Sequence, residues 1–150
     1  VTLEEPVSSD HFRKLERMYL SAPINQFFRP AIRIESGRAE VRIPIRPELF
    51  HAARAAHGAV YFKAADDSAF FAANSLVEDA FVLTTSMNLH LLRPIAEGTL
   101  TARASVVHSA RTSFIAEAVL TDDRDRQVGR ASGTFVRGRT PLTEEIGYRL

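Results

Sequence analysis

Asp66 and Asp67 stand side by side in FKAADDSAFFAANS (residues 62–75), a stretch otherwise dominated by alanine and phenylalanine. From about Gly58 to Leu76 the chain lacks any breaker, which predicts a helix of roughly five turns. Successive helical residues are turned by about 100°, so the two acids face different ways. Asp67 joins Lys63, Ser68, Asn74 and Ser75 in a polar stripe. Four residues after Lys63, it reads as a solvated acid in an exposed pair that contributes about 0.5 kcal/mol at most. Its replacement by alanine should then be nearly silent. Asp66 instead shares its side of the wheel with Ala59, Phe62, Phe70 and Ala73. A carboxylate there is poorly hydrated, and without a partner its pKa should rise. It is either a hydrogen-bonded acid, one facing a cavity or another subunit, or an acid with a catalytic task. Perturbed carboxylates collect at active sites, so Asp66 is the first candidate for chemistry.

Other chemistries fit less well. The absence of cysteine excludes thiol nucleophiles, disulfides and cysteine-ligated zinc, and agrees with a reducing cytoplasm. Among five histidines, His51 and His57 are six apart, a spacing that does not put both on one helical face, and no acid cluster accompanies them. No metal site is expected. G-x-S-x-G is absent, Ser132-Gly133 falls inside a predicted strand, and no glycine-rich phosphate loop or dinucleotide fingerprint occurs. A formal charge of +1, with arginines scattered through the chain, argues against nucleic-acid or membrane binding. No apolar run is long enough to span a bilayer, and VTLEEPVSSD is acidic and polar, unlike a signal peptide.

The elements that must position Asp66 follow from periodicity. One hundred and fifty residues, 45% of them apolar, suit one domain over 1–150. SSDHFRKLERMYL reads as a short helix capped by Ser9 or Asp10, with Phe12, Leu15, Met18 and Tyr19 on one side and Pro23 closing it. Residues 31–45 alternate as a hairpin about Ser36-Gly37, and Pro44 suggests an edge position for its second strand. After the long helix come four strands. In the first, Phe81, Leu83, Met87, Leu89 and Leu91 are expected on one face and Thr84, Ser86, Asn88 and His90 on the other. Residues 1–8 and 140–150 are expected as loose ends. The order gives an α+β fold, an antiparallel sheet wrapped around one long central helix, with a short N-terminal helix.

Across HAARAAHGAVYFKAADDSAFFAANS and LLRPIAEG, the sequence resembles the hotdog-fold acyl-CoA thioesterases of the phenylacetate-degradation type. That pattern has an Asn, five intervening residues, His-Gly-Gly, an acid nine positions after the His, then a strand Thr or Ser before Leu-Arg-Pro and a Gly. Here His57-Gly58 supplies the His-Gly, Asp66 the acid and Thr84 the hydroxyl. VVHSARTSFIAEAVLTD and GRASGTFVRG also look like the family's last strands, so the likeness spans most of residues 28–138. Ala59 replaces the second Gly, and His51 occupies the position of the Asn.

The resemblance implies a cytoplasmic homodimer, or a dimer of dimers, that hydrolyses small or medium acyl-CoA, aromatic acyl groups included. It implies no cofactor, since coenzyme A is part of the substrate. Gly58 would open the long helix, whose free N–H groups and positive dipole end polarise a thioester carbonyl. Asp66 from the neighbouring subunit would act as general base or nucleophile, and Thr84 would hold the water or the carboxylate. His51 would stand in for the amide donor, and His57 would close the helix entrance. Arg111 is the expected partner of the coenzyme's phosphates, with Arg137 and Arg139 as weaker ones. Phe70, with Phe27, Phe28 and Phe71, would line the acyl pocket or simply pack the core. A non-catalytic acyl-CoA sensor is the rival reading, left open by His51 and Ala59. An unrelated cone-shaped α+β domain binding a small apolar ligand as a monomer is the third.

Overall fold

The computed structural model describes residues 7–150; the expectation for the first residues of the chain lies outside that range for 1–6. Helices α1 (Ser9–Ser21) and α2 (Pro23–Phe28) precede strands β1 (Ala31–Glu35) and β2 (Arg38–Pro44). The long helix α3 (Gly58–Asn74) follows, then β3 (Ala80–Leu91), β4 (Thr99–Ser109), β5 (Ser113–Thr121) and β6 (Gln127–Pro141). All six strands form one sheet in the order β1-β2-β4-β5-β6-β3, every neighbouring pair antiparallel. The α+β fold expected from the sequence is the one observed.

α3 packs against every strand of this sheet. Its inner positions are mostly alanine, with Ala64, Ala65, Ala69, Ala72 and Ala73 all fully buried. Small side chains let the helix lie close to Val41, Leu100, Ala116, Ala118 and Leu120 of the same core. α1 lays its apolar side, Phe12, Leu15, Met18 and Tyr19, over the assembly. Arg13 donates to the Ile34 carbonyl and Glu16 accepts from the Ile34 N–H, so the helix is tied to β1 by both backbone groups of one residue.

Several local expectations are corrected. The cap of α1 is Ser8, whose hydroxyl accepts from the Asp10 N–H. Pro23 opens α2 rather than merely ending α1, because the first helical position does not use the N–H that proline lacks. β2 lies between β1 and β4, not at an edge; its pairing with β1 reaches only Arg42, so Pro44 has a single neighbour, Thr99. The polar stripe of α3 is buried, not wet. Asn74 donates to the Val77 and Ala80 carbonyls and accepts from the Val82 N–H, while Ser75 accepts from the Gly37 N–H. These side chains pin β3 and the β1–β2 turn to the end of the helix. Residues 140–150 are docked rather than loose: Tyr148 donates a 2.6 Å hydrogen bond to His11 on α1.

Candidate active site

Asp66 is half-buried on α3, on the side of the helix that carries the exposed Ala59 and Phe62, Phe62 by 45% despite its size. The Asp66 carboxylate accepts a 2.8 Å hydrogen bond from the Thr84 hydroxyl. A register shift between Thr84 and Ser86 brings the hydroxyl there. Strict alternation would put Thr84 with Ser86, Asn88 and His90; the bulge at Thr85 turns Val82 and Thr84 toward the helix and leaves Leu83 half exposed. The expected two faces of β3 therefore exchange partway along it.

Burial pushes the Asp66 carboxyl above the usual carboxylate range; the Thr84 hydrogen bond opposes this, the Asp67 charge adds to it, and Lys63 opposes it. The acid opens onto a cleft of about 990 Å³ whose apolar wall includes Met18, Phe70, Phe71, Phe81, Leu83 and Ile146. Phe70 is buried at the centre of an aromatic group, 4.9 Å from both the Phe71 and Phe81 rings. Poor hydration and one short hydrogen bond fit an acid that takes up protons.

Asp67 is not the solvated acid expected. Tyr19 donates to its Oδ2 at 2.6 Å and Lys63 reaches the same oxygen at 2.8 Å, with Lys63 and Asp67 only 11% and 17% exposed. α1 and α2 cover the pair, and Lys63 Nζ lies 4.9 Å above the Phe28 ring. Burial, with the adjacent Asp67 carboxylate, pushes the Tyr19 hydroxyl far above its usual range, so it remains a donor. The helical spacing puts Tyr19 on the apolar side of α1 and gives it no partner. A buried tyrosine hydroxyl usually finds an acceptor, and this was the available signal.

At the start of α3, His57 is the N-cap, its Nδ1 accepting from the Ala59 N–H at 2.9 Å. The ring therefore holds its proton on Nε2, which points away from the helix start. Gly58 has room for a Cβ, with Leu91 Cδ1 the nearest atom at 3.4 Å. His51 is exposed, and its Nδ1 accepts from the Ala53 N–H at 3.0 Å in the loop before the helix. Within one chain, Gly58 and Asp66 are separated by eight helical residues, about 12 Å along the axis. One thioester carbonyl cannot meet both in a single chain.

The arginines lie elsewhere. Arg111 is exposed in the β4–β5 turn, and Arg137 donates to Asp79 at 2.7 Å and to the Thr112 carbonyl through its backbone N–H. Neither these two nor Arg139 lines the Asp66 cleft, and nor do Phe27 and Phe28. Phe27 is instead half exposed, with the Arg46 guanidinium 4.8 Å above its ring. Among the described residues, no helix is long and apolar enough to cross a membrane.

Comparison with known proteins bears on this arrangement. The family model described as the thioesterase superfamily matches residues 54–129, a span that holds His57, Gly58, Asp66, Thr84 and Arg111. The E. coli PaaI protein from the phenylacetic acid degradation operon superposes with a TM-score of 0.82 at 22% identity, covering 91% of this chain and 99% of that one. The conserved protein PA5202 of Pseudomonas aeruginosa gives a TM-score of 0.76 at 25% identity, over 81% of this chain and 98% of that one. In sequence, the Saccharolobus solfataricus protein SSO2140, named provisionally as an esterase, is 23% identical over 142 residues, 93% of this chain and 98% of that protein.

Proposed function

The chain belongs to the thioesterase superfamily and is a thioester hydrolase on the hotdog fold, and on that premise we propose that it cleaves small or medium acyl-CoA, with Asp66 as general base. The observation that carries this reading is Asp66 itself: a half-buried carboxylate, oriented by Thr84, at the wall of an apolar cleft. Asp66 takes a proton from a water whose oxygen bonds to the thioester carbon. The carbonyl oxygen becomes negative, and the Gly58 N–H with the positive end of the α3 dipole stabilises it, the Ala59 and Val60 N–H groups being held by His57. Collapse breaks the C–S bond and releases the coenzyme A thiolate, which takes up a proton, together with the free acid. Coenzyme A is part of the substrate, and this chemistry uses no separate cofactor.

The helix start that serves Asp66 comes from a second copy, since its own is about 12 Å away. β3 supports such a pairing. It is twelve residues long, lies at an edge of the sheet, and carries exposed Leu83 and Leu91, while Phe62 is exposed on α3. A long apolar edge is suited to pairing with another strand. In the homodimer, Arg111 is the candidate phosphate contact, while Arg137 is already committed to Asp79.

Thiol release from a panel of acyl-CoA thioesters tests the reading. Asp66→Asn should lower kcat about 10²–10⁴-fold with binding retained. Saturable binding with no release above that variant would instead favour an acyl-CoA sensor.

A further inference from the structure

The cleft beside Asp66 has two unlike walls. One is the corner between α1 and α2, from Met18 to Asn25, fixed by the 2.6 Å hydrogen bond from the Asn25 side chain to the Tyr19 carbonyl. The other is the chain end, where Glu144, Glu145, Ile146, Gly147 and Arg149 face the same space. This end forms a short turn, Glu144–Ile146, closed by hydrogen bonds from the Ile146 and Tyr148 N–H groups to the Thr143 carbonyl. Gly147 has φ of 95°, and a Cβ there would collide with the Ser21 side chain, so the turn sits directly on α1.

One clasp holds it. Among the described residues, the only side-chain hydrogen bond from residues 143–150 to the rest of the chain is Tyr148 to His11, at 2.6 Å. The direction is fixed by the other ring nitrogen. His11 Nε2 donates to the Asn74 carbonyl at 2.9 Å, so Nδ1 accepts and the Tyr148 hydroxyl donates. His11 is 3% exposed, and the clasp ties three segments together: α1, the end of α3 and the chain terminus. Ile146, an apolar side chain on the cleft wall, keeps 37% of its surface exposed.

We propose that residues 143–149 are the wall that limits the length of acyl group the Asp66 cleft accepts, with Ile146 meeting the end of the acyl chain and Tyr148 and His11 as the positioning pair. The inference rests on the acyl-CoA reading above. It also names a substrate class. Glu144 and Glu145 join Asp66 and Asp67 around the cleft, four acids against Lys63 and Arg149, so an acyl group bearing its own carboxylate is repelled and an uncharged one is admitted.

Non-hydrolysable S-alkyl coenzyme A thioethers, from butyl to dodecyl, separate this inference from catalysis. Calorimetry on the folded full chain should show affinity rising with length and then falling beyond a limit. Ile146→Ala should strengthen dodecyl binding relative to butyl by roughly tenfold. Tyr148→Phe, which keeps the ring and loses the tether, should move the limit the same way by less. A limit unchanged in Ile146→Ala, or no thioether binding by the parent chain, overturns the wall. A limit that shifts as described while the parent releases no thiol from the matching thioesters leaves the wall standing and removes the hydrolase reading instead.

Discussion

Replacing Asp66 with asparagine should stabilise the folded chain near neutral pH while removing turnover. Its carboxyl is raised in the folded state, chiefly by burial. A raised acid favours folding below its unfolded value and loses that contribution as pH rises through the folded value, so at neutral pH the native acid is a burden. Melting temperature against pH, for parent and variant, should show the curves converging in acid and the variant higher near neutrality. Thr84→Val removes the hydrogen bond that opposes the rise, so the acid limb of kcat/KM should move to higher pH. Asp67→Ala should cost about 1–3 kcal/mol in denaturant unfolding, since it strands the Tyr19 hydroxyl and the Lys63 ammonium together. The exposed pair read from the sequence would contribute only about 0.5 kcal/mol at most. The helical wheel separated the two acids correctly, because a 100° step is a property of the helix alone. It could not say which side α1 would cover, because that depends on residues forty-eight positions apart meeting in space.

Strands and helices were readable wherever one period ran without interruption. α3 begins at Gly58 as its composition predicts, and the four last strands fall in their expected order. β3 shows where pattern reading stops. Its apolar residues do alternate, yet the bulge at Thr85 inverts the faces upstream, and no feature of the sequence around Thr84-Thr85 announces it. The terminal segment was equally opaque. TPLTEEIGYRL is polar and short, and among the described residues the one side-chain hydrogen bond that ties its last eight residues to the rest of the chain is a tyrosine reaching a buried histidine. That histidine gives the element a pH signature. Burial holds His11 below its usual value, so the unfolded chain binds the extra proton first as pH falls. His11 thus contributes stability above about pH 6.5 that is lost on acidification toward its folded value. His11→Gln should flatten the melting-temperature profile between about pH 7 and pH 5. An unchanged slope would remove His11 from that role.

At the scale of the molecule, a single chain carries both halves of the proposed site but holds them apart. Gly58 and Asp66 stand eight residues from each other on one rigid helix, and an exposed face of that helix runs beside the open edge of β3. The spacing of the two residues was legible in the sequence, and so was the length of the helix between them. What the sequence could not supply was the direction of that face: only the packed sheet shows that Ala59 and Phe62 are left exposed while Asp66 is half-buried against β3. A second copy laid against this face would bring its helix start to Asp66 and receive the same service in return, as a two-fold axis requires. The most direct measurement mixes two inactive variants, Asp66→Asn and Gly58→Asp, the second placing a negative charge where the oxyanion forms, at a position whose added Cβ would meet only Leu91 Cδ1 at 3.4 Å. After exchange of subunits, mixed dimers hold one intact site each, and about one quarter of parental thioesterase activity should return. If the mixture stays as inactive as its components while size exclusion shows the subunits have exchanged, Asp66 and the helix start do not meet across two chains.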